Sequence, residues 1–420
     1  MGKRIKIEGG KPLFGRVKLQ SGKNACLPIL AAVILTEGVT VIRKVPRISD
    51  IENLLLMLSG LGICVEWRDG DVHLDTTGIF YNEINPEIAR KIRGSIFVLG
   101  SMVGRFKRAS MPLPGGCSIG ARPIDLHIEG LRTIGVKIKE TACRVDCAAA
   151  RRADGVVYLD FPSVGATENL ILASVLGRHV TKIVNAAREP EIVDLCNFLR
   201  ACGACISGDG TDVIAVHGVS KLTGANYTPI PDRINTASYM LAVAAVGGDV
   251  TLENVRPEHN MNLVQKLVRA GVDVRVGVNT MRVVSSRQTR MRVPSIQTAS
   301  YPGFSTDVQS QYAVLAMMGR GRTTITENLF EDRFKYVDEL RKLGARICVR
   351  GRTAVIVGTQ KLSSEPIQLF SHDLRGAVAL VIAGLVADGQ CIVENAELAS
   401  RGHEDIVRDF AQLGADITWM

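Results

Sequence analysis

The chain has 420 residues, more than one hydrophobic core usually serves, and its 46% hydrophobic and 22% charged residues predict two well-packed domains. A net charge of +9 points to anionic ligands, and 5% aromatic residues with no basic run interleaved among them argue against a single-stranded nucleic-acid groove. The opening residues lack the apolar stretch of a signal peptide, and apolar runs such as 377–387 are too short to span a bilayer. We therefore expect a cytoplasmic protein with no membrane partner. The ten cysteines follow no disulfide spacing and read as reduced thiols, most of them small core residues.

In chain order, the first predicted element is a pair of strands in IKIEGGKPLFGRVKLQ, residues 5–20. Six units follow, each an apolar helix of small residues, a strand, a loop, an amphipathic helix closed by glycine, and further strands. The apolar helices read NACLPILAAVIL, GSIFVLGSMVG, ATENLILASVLG, TASYMLAVAAVGG, VQSQYAVLAMMG and GAVALVIAGLVA. Apolar on nearly every side, they should be fully buried, with the amphipathic helices such as 332–343 outside them. The closing glycines are Gly62, Gly135, Gly203, Gly271, Gly344 and Gly414, a register too even for chance. Glycine belongs there because a left-handed residue ends a helix without a Cβ penalty.

The sixth unit runs out at Met420, and residues 5–20 resemble the hairpins IAVHGVSKLTGA and VIVGTQKLSSEP that finish other units. The N-terminal strands should therefore complete the unit that ends the chain. We expect an α/β protein of two inside-out domains, each of three repeats around buried central helices. One would span residues 22–230; the other would span 1–21 plus 231–420, joined to it by a double-crossing hinge over a cleft.

Each strand-to-helix loop carries an arginine: Arg47, Arg122, Arg188, Arg256, Arg333 and Arg401. Cations at helix N-termini, where backbone N–H groups also point outward, bind carboxylate and phosphate, and pseudosymmetry would turn three from each domain toward the cleft. No Walker loop, strand-linked G-x-G-x-x-G or H-x-x-x-H occurs, so no cofactor or metal motif is evident. Cys202-Gly-Ala-Cys205 has zinc spacing but no second ligand pair, and reads as core packing. The second unit differs from the rest in its long loop Pro114-Gly-Gly-Cys117-Ser-Ile-Gly-Ala-Arg122, where an exposed thiol beside a cation can serve as acid or nucleophile.

Four stretches carry a resemblance that extends over the whole chain: Lys23-Asn24, PGGCSIGARPIDLH at 114–127, AREPEIVD at 187–194, and Thr306-Asp307-Val308-Gln309. The chain resembles the enolpyruvyl transferases, and among them the family that acts on UDP-N-acetylglucosamine. The related shikimate-pathway enzymes share the architecture and should lack the PGGC loop. The resemblance implies transfer of the enolpyruvyl group of phosphoenolpyruvate to the 3′-hydroxyl of UDP-N-acetylglucosamine, the first committed step of peptidoglycan synthesis, and sensitivity to fosfomycin. It further implies that Cys117 is the proton donor and Asp307 the base, with Lys23, Arg122 and Arg401 on phosphoenolpyruvate. Asn24, Arg93, Arg122, Pro123, Ile124, Asp125, Leu126, Ser163, Val164, Gly165, Asp307, Leu329, Arg333 and Arg375 complete the implied substrate contacts. Asp307 opens the buried helix after it, so it should also cap that helix.

The chain departs from the usual family pattern in reading QSGKN at 20–24 and in carrying Phe161, Asn235, Ser305 and Ser400. These departures keep an auxiliary or weakly active paralogue as an alternative to the housekeeping enzyme. A nucleic-acid-binding protein of related fold is the other alternative, and it lacks the exposed base-stacking aromatics it would need.

Overall fold

The computed structural model describes all residues except 1, 116–118, 121–122, 150–154, 288–290 and 360–361. Contacts divide the chain into two compact units: Ser21–Gly116 with Arg122–Ile230, and Met1–Gln20 with Cys117–Ala121 and Pro231–Met420. Each unit has its own hydrophobic core. They are called here the middle unit and the terminal unit.

The middle unit is built on three buried helices, Lys23–Ala32, Ile96–Phe106 and Val164–Ser174, with the second packed on both others. In the terminal unit Arg233–Val246, Gln309–Met318 and Leu374–Val386 all pack against one another. Every residue of Leu374–Val386 is buried, as its near-continuous apolar sequence requires. Each Leu, Ile or Val so enclosed contributes about 1.5–3 kcal/mol of transfer free energy. The outer helices bury one face only: Met261–Ala270 turns Leu263, Val264, Leu267 and Ala270 inward at helical spacing and leaves Gln265, Val268 and Arg269 exposed. All six closing glycines are left-handed, with φ between 83° and 102°, so the register read in the sequence is a register of helix ends.

The sheets explain how three repeats close into one body. In five of them the strand after a buried helix pairs in parallel with a strand supplied by another repeat and antiparallel with its own neighbour. The parallel partners are Asn226–Tyr227 with Val39–Ile42, Gly155–Tyr158 with Val180–Val184, and Leu13–Lys18 with Gly248–Glu253. Ile296–Gln297 lies parallel to Arg322–Thr326, and Ile367–Phe370 to Gln390–Glu394. The sixth sheet, of Arg108–Pro112, Arg144–Ala149 and Val136–Glu140, has three described strands. Five of the six repeats thus take a strand from another to complete their sheet.

The N-terminal strands divide their work. Ile5–Glu8 lies between Gln390–Glu394 and Asp416–Trp419, antiparallel to both, and completes the last repeat as expected. Leu13–Lys18 does not follow it: with both neighbours of Ile5–Glu8 already in place, it pairs instead with the open edge of Gly248–Glu253 in the fourth repeat. The outer helix expected over 332–343 is shorter, Tyr336–Lys342, because residues 331–335 form turns that carry Arg333 inward. Of the nine described cysteines, five are buried and four exposed. Burial pushes the Cys147 and Cys202 thiols up to about 12, whereas Cys205 is exposed, so core packing accounts for only one member of the Cys202/Cys205 pair. No helix among the described residues is long and apolar enough to cross a membrane.

Candidate active site

Several of the expected site residues lie at the N-terminal ends of buried helices. In the middle unit Lys23 and Asn24 are the first two residues of Lys23–Ala32, and Arg93 opens the turn Arg93–Ser95 that leads into Ile96–Phe106. Ser163 caps Val164–Ser174, its hydroxyl accepting from the Ala166 N–H at 3.3 Å. This placement follows from chemistry: helix starts expose N–H groups and a positive dipole end, which favour anions.

Lys23 is largely enclosed and its ammonium lies 3.2 Å from the Asp50 carboxylate. Asp50, in the first turn of Ser49–Gly60, was not legible as a partner because the pair spans two helices. The Arg93 guanidinium donates to the Pro123 carbonyl at 3.4 Å, which ties the helix start to the described end of the glycine-rich loop. Pro123 and Asp125 are exposed, and Ile124 and Leu126 are half-buried. Cys117 and Arg122 lie outside the described residues.

His127, the last residue of that motif, is buried against the start of Val164–Ser174. Burial, with the nearby Arg93 charge, pushes its pKa down to about 3, so the ring is neutral. The Asn169 amide lies 2.9 Å from Nδ1, while its oxygen accepts from the Gly100 N–H at 2.7 Å. The amide nitrogen therefore donates to Nδ1, and the ring proton sits on Nε2. A Cβ on Gly165 would lie 3.0 Å from the ring Cε1 and 3.1 Å from Nε2, so glycine is what lets the helix start approach the imidazole.

Behind this end of the unit, Glu168 is wholly buried near Glu189 and Glu191 at the start of Pro190–Ala201. Neither of its oxygens has a hydrogen-bond partner among the described residues. Burial first, then the Glu191 and Glu189 charges, holds its pKa well above the ordinary 4.5. A raised carboxyl pKa contributes stability in full below the unfolded value, and that contribution is lost as the pH rises through the folded one. Glu168→Gln removes the titration and keeps the shape. Its Tm should exceed the wild type's at pH 8, and the gap should close toward pH 5. Differential scanning fluorimetry across that range checks this; a gap independent of pH would refute it.

In the terminal unit Asp307 lies in the turn Thr306–Val308 that opens Gln309–Met318. It does not cap that helix, whose cap position is Val308 and carries no side-chain cap; the Ser305 hydroxyl, accepting from the Asp307 N–H at 3.3 Å, caps the short turn before it. The Asp307 carboxylate is held by two arginines instead. Arg333 donates to Oδ1, and Arg375, the second residue of Leu374–Val386, donates to Oδ2 at 2.9 Å. Their side chains are 3% and 6% exposed against 26% for Asp307, so the carboxylate is the accessible edge of the cluster. Leu329 is half-buried nearby in sequence, its N–H donating to Glu327.

Arg401 ends the turn Ala396–Arg401, and the next carbonyl, of Gly402, accepts from Asn235 Nδ2 at 2.9 Å and Gln20 Nε2 at 3.1 Å. Two of the departures from the family pattern, Gln20 and Asn235, thus share one acceptor beside Arg401. The other repeat arginines are not structural equivalents. Arg47 stacks over the Trp67 ring, Arg188 is exposed, and Arg256 lies at the surface 4.0 Å from Glu258. A crevice of about 500 Å³ beside the loop before Asp307, lined by Lys266, Gln297, Phe304 and Thr326 among others, includes none of the expected site residues. No cluster of metal-ligating side chains occurs among the described residues.

The arrangement of six repeats, five of which complete their sheet with a strand from another, is that of an enolpyruvyl transferase fold. The enolpyruvyl transferase NikO from Streptomyces tendae superposes with a TM-score of 0.90 over 100% of this chain and 99% of its own, at 24% identity. The family described as EPSP synthase (3-phosphoshikimate 1-carboxyvinyltransferase) matches residues 7–410. UDP-N-acetylglucosamine 1-carboxyvinyltransferase 2 of Caldanaerobacter subterraneus is 43% identical over 417 residues, 99% of each chain. Its counterpart in Carboxydothermus hydrogenoformans is 44% identical over 98% of each chain. The chain belongs to the UDP-N-acetylglucosamine 1-carboxyvinyltransferase family of enolpyruvyl transferases.

Proposed function

We propose that this protein transfers the enolpyruvyl group of phosphoenolpyruvate to the 3′-hydroxyl of UDP-N-acetylglucosamine and releases phosphate, the first committed step of peptidoglycan synthesis. The observation that carries this reading is full-length identity of 41–44% to relatives named for that acceptor. The family profile takes its name from the shikimate-pathway enzyme, but the PGGC loop and these relatives favour the nucleotide sugar.

In the proposed reaction the sugar oxygen bonds to C2 of phosphoenolpyruvate, its proton passes to Asp307, and Cys117 delivers a proton to C3. The tetrahedral adduct then loses phosphate from C2 and a proton from C3, which restores the double bond. Lys23, Arg122 and Arg401 bind the phosphate and carboxylate. Asn24, Arg93, the stretch 122–126, Ser163, Val164, Gly165, Leu329, Arg333 and Arg375 bind the nucleotide sugar. Fixed cations and N–H groups at helix starts lower the barrier where negative charge develops. We infer that the reaction takes place in the cytoplasm.

Side-chain cations supply the positive charge that phosphoenolpyruvate needs, so phosphate release should require both substrates and persist in EDTA. A continuous phosphate assay with each substrate omitted in turn checks this. Loss of activity on chelation would contradict it.

A further inference from the structure

Glu327 is a buried carboxylate to which neither the sequence nor the proposed chemistry gives a part. It follows the strand Arg322–Thr326 and is 0% exposed. A buried carboxylate is tolerated only when its lone pairs are filled, and those of Glu327 are filled by donors from two other segments. Oε1 accepts from the Thr298 hydroxyl at 2.9 Å, the Leu329 N–H at 2.8 Å and the Phe330 N–H at 3.2 Å. Oε2 accepts from the Thr306 hydroxyl at 2.8 Å.

The identity of these donors gives the network its meaning. Thr298 and Thr306 are the two ends of one closed loop, in which Thr298 bridges to Phe304, the Ala299 N–H donates to the Phe304 carbonyl at 3.0 Å, and Gly303 bonds back to Ser300. Thr306 is followed directly by Asp307. Leu329 and Phe330 open the turn that delivers Arg333, whose guanidinium reaches back to the Thr306 carbonyl at 3.4 Å and to the Asp307 carboxylate. One side chain therefore fixes both the segment that carries Asp307 and the segment that carries its arginine partner.

We propose that Glu327 is a positioning residue for the reaction: by pinning Thr306 and the Leu329–Phe330 amides to a single carboxylate, it sets the alignment of Asp307 with Arg333 and hence with the acceptor hydroxyl. This rests on the role proposed for Asp307. Glu327 touches no substrate and acts through these two segments alone. Catalytic geometry is sensitive to displacements on the order of 1 Å, so loosening either segment lowers turnover before it unfolds the protein.

Three variants separate alignment from bulk stability. Thr306→Val removes one hydroxyl and keeps the side-chain shape. Glu327→Gln keeps the oxygen that receives three of the four donors and lets the Thr306 hydroxyl turn to accept. Glu327→Ala removes the network. With UDP-N-acetylglucosamine and phosphoenolpyruvate, kcat per folded molecule should fall about 10-fold in Thr306→Val and about 100-fold in Glu327→Ala, and return close to wild type in Glu327→Gln. The KM for phosphoenolpyruvate should change less than twofold or so throughout.

Hydrogen–deuterium exchange tests the link without turnover. Peptides covering 305–309 and 329–333 should exchange faster together in Glu327→Ala and stay protected in Glu327→Gln. Unchanged exchange in Glu327→Ala overturns the proposal, as does faster exchange with wild-type kcat in an active enzyme. An inactive wild type with the expected exchange instead refutes the proposed activity and leaves the linkage supported.

Discussion

Cys117→Ala is expected to abolish turnover without lowering thermal stability, whereas Cys117→Asp should remain active. In the sequence Cys117 stands among glycines at 115, 116 and 120 with Arg122 five residues on, a composition that favours acid or nucleophile chemistry. If it delivers the proton to C3, a carboxylic acid in its place can do the same and a methyl group cannot. The two variants should also part company toward electrophiles. A small anionic phosphonate epoxide of the fosfomycin type should be opened by the wild-type thiolate, forming a thioether visible by intact mass, and should leave Cys117→Asp unmodified because a carboxylate is a poor soft nucleophile. A purely structural cysteine predicts the reverse ranking, with alanine tolerated and aspartate damaging. An active Cys117→Ala enzyme would overturn the assignment.

Asp307→Asn should lower turnover by about 10² or more, the usual scale for loss of a general base. The structure adds a cost that the sequence did not predict. Asparagine carries no charge and keeps one acceptor oxygen for the two guanidiniums, so Arg333 and Arg375, both buried, lose the carboxylate's charge and one of them also meets an N–H in place of an acceptor. Breaking a buried pair on one side costs about 3–5 kcal/mol, and the partial exposure of Asp307 places this case near the lower end. The variant should therefore melt earlier as well as turn over slowly. Kinetics well below the lowered Tm, normalised to folded protein, separate the two effects; normal turnover under those conditions would place the base elsewhere.

Much of the fold was legible because a repeat announces itself locally. Six glycines in register mark six helix ends, and six apolar helices mark two cores. Pairing between distant segments leaves no such mark. Nothing in residues 13–18 says that they join the fourth repeat rather than the sixth, because an alternating strand fits any open edge. The same limit applied at the site. Asp307 was legible as a helix-start acid but not as an arginine-held one: its carboxylate faces Arg333 and Arg375, the helix after it has no side-chain cap, and Ser305 caps the short turn between. Asp50, His127 and Glu327 were missed for a related reason: each has a partner far along the chain, Lys23 with Asp50 at 27 residues, His127 with Asn169 at 42, and Glu327 with Thr306 at 21. The arginine repeat misled in the other direction. Equal sequence positions gave a buried clamp at Arg333, a ring stack at Arg47 and a surface pair at Arg256, because the neighbours they meet differ.

The central claim concerns the acceptor, and it is tested most directly by offering phosphoenolpyruvate with UDP-N-acetylglucosamine and shikimate 3-phosphate in one reaction and identifying the products by mass spectrometry. The account predicts a single enolpyruvyl product, on the nucleotide sugar, formed in step with phosphate release. Enolpyruvyl shikimate 3-phosphate as the main product, or phosphate release with neither acceptor modified, would contradict it.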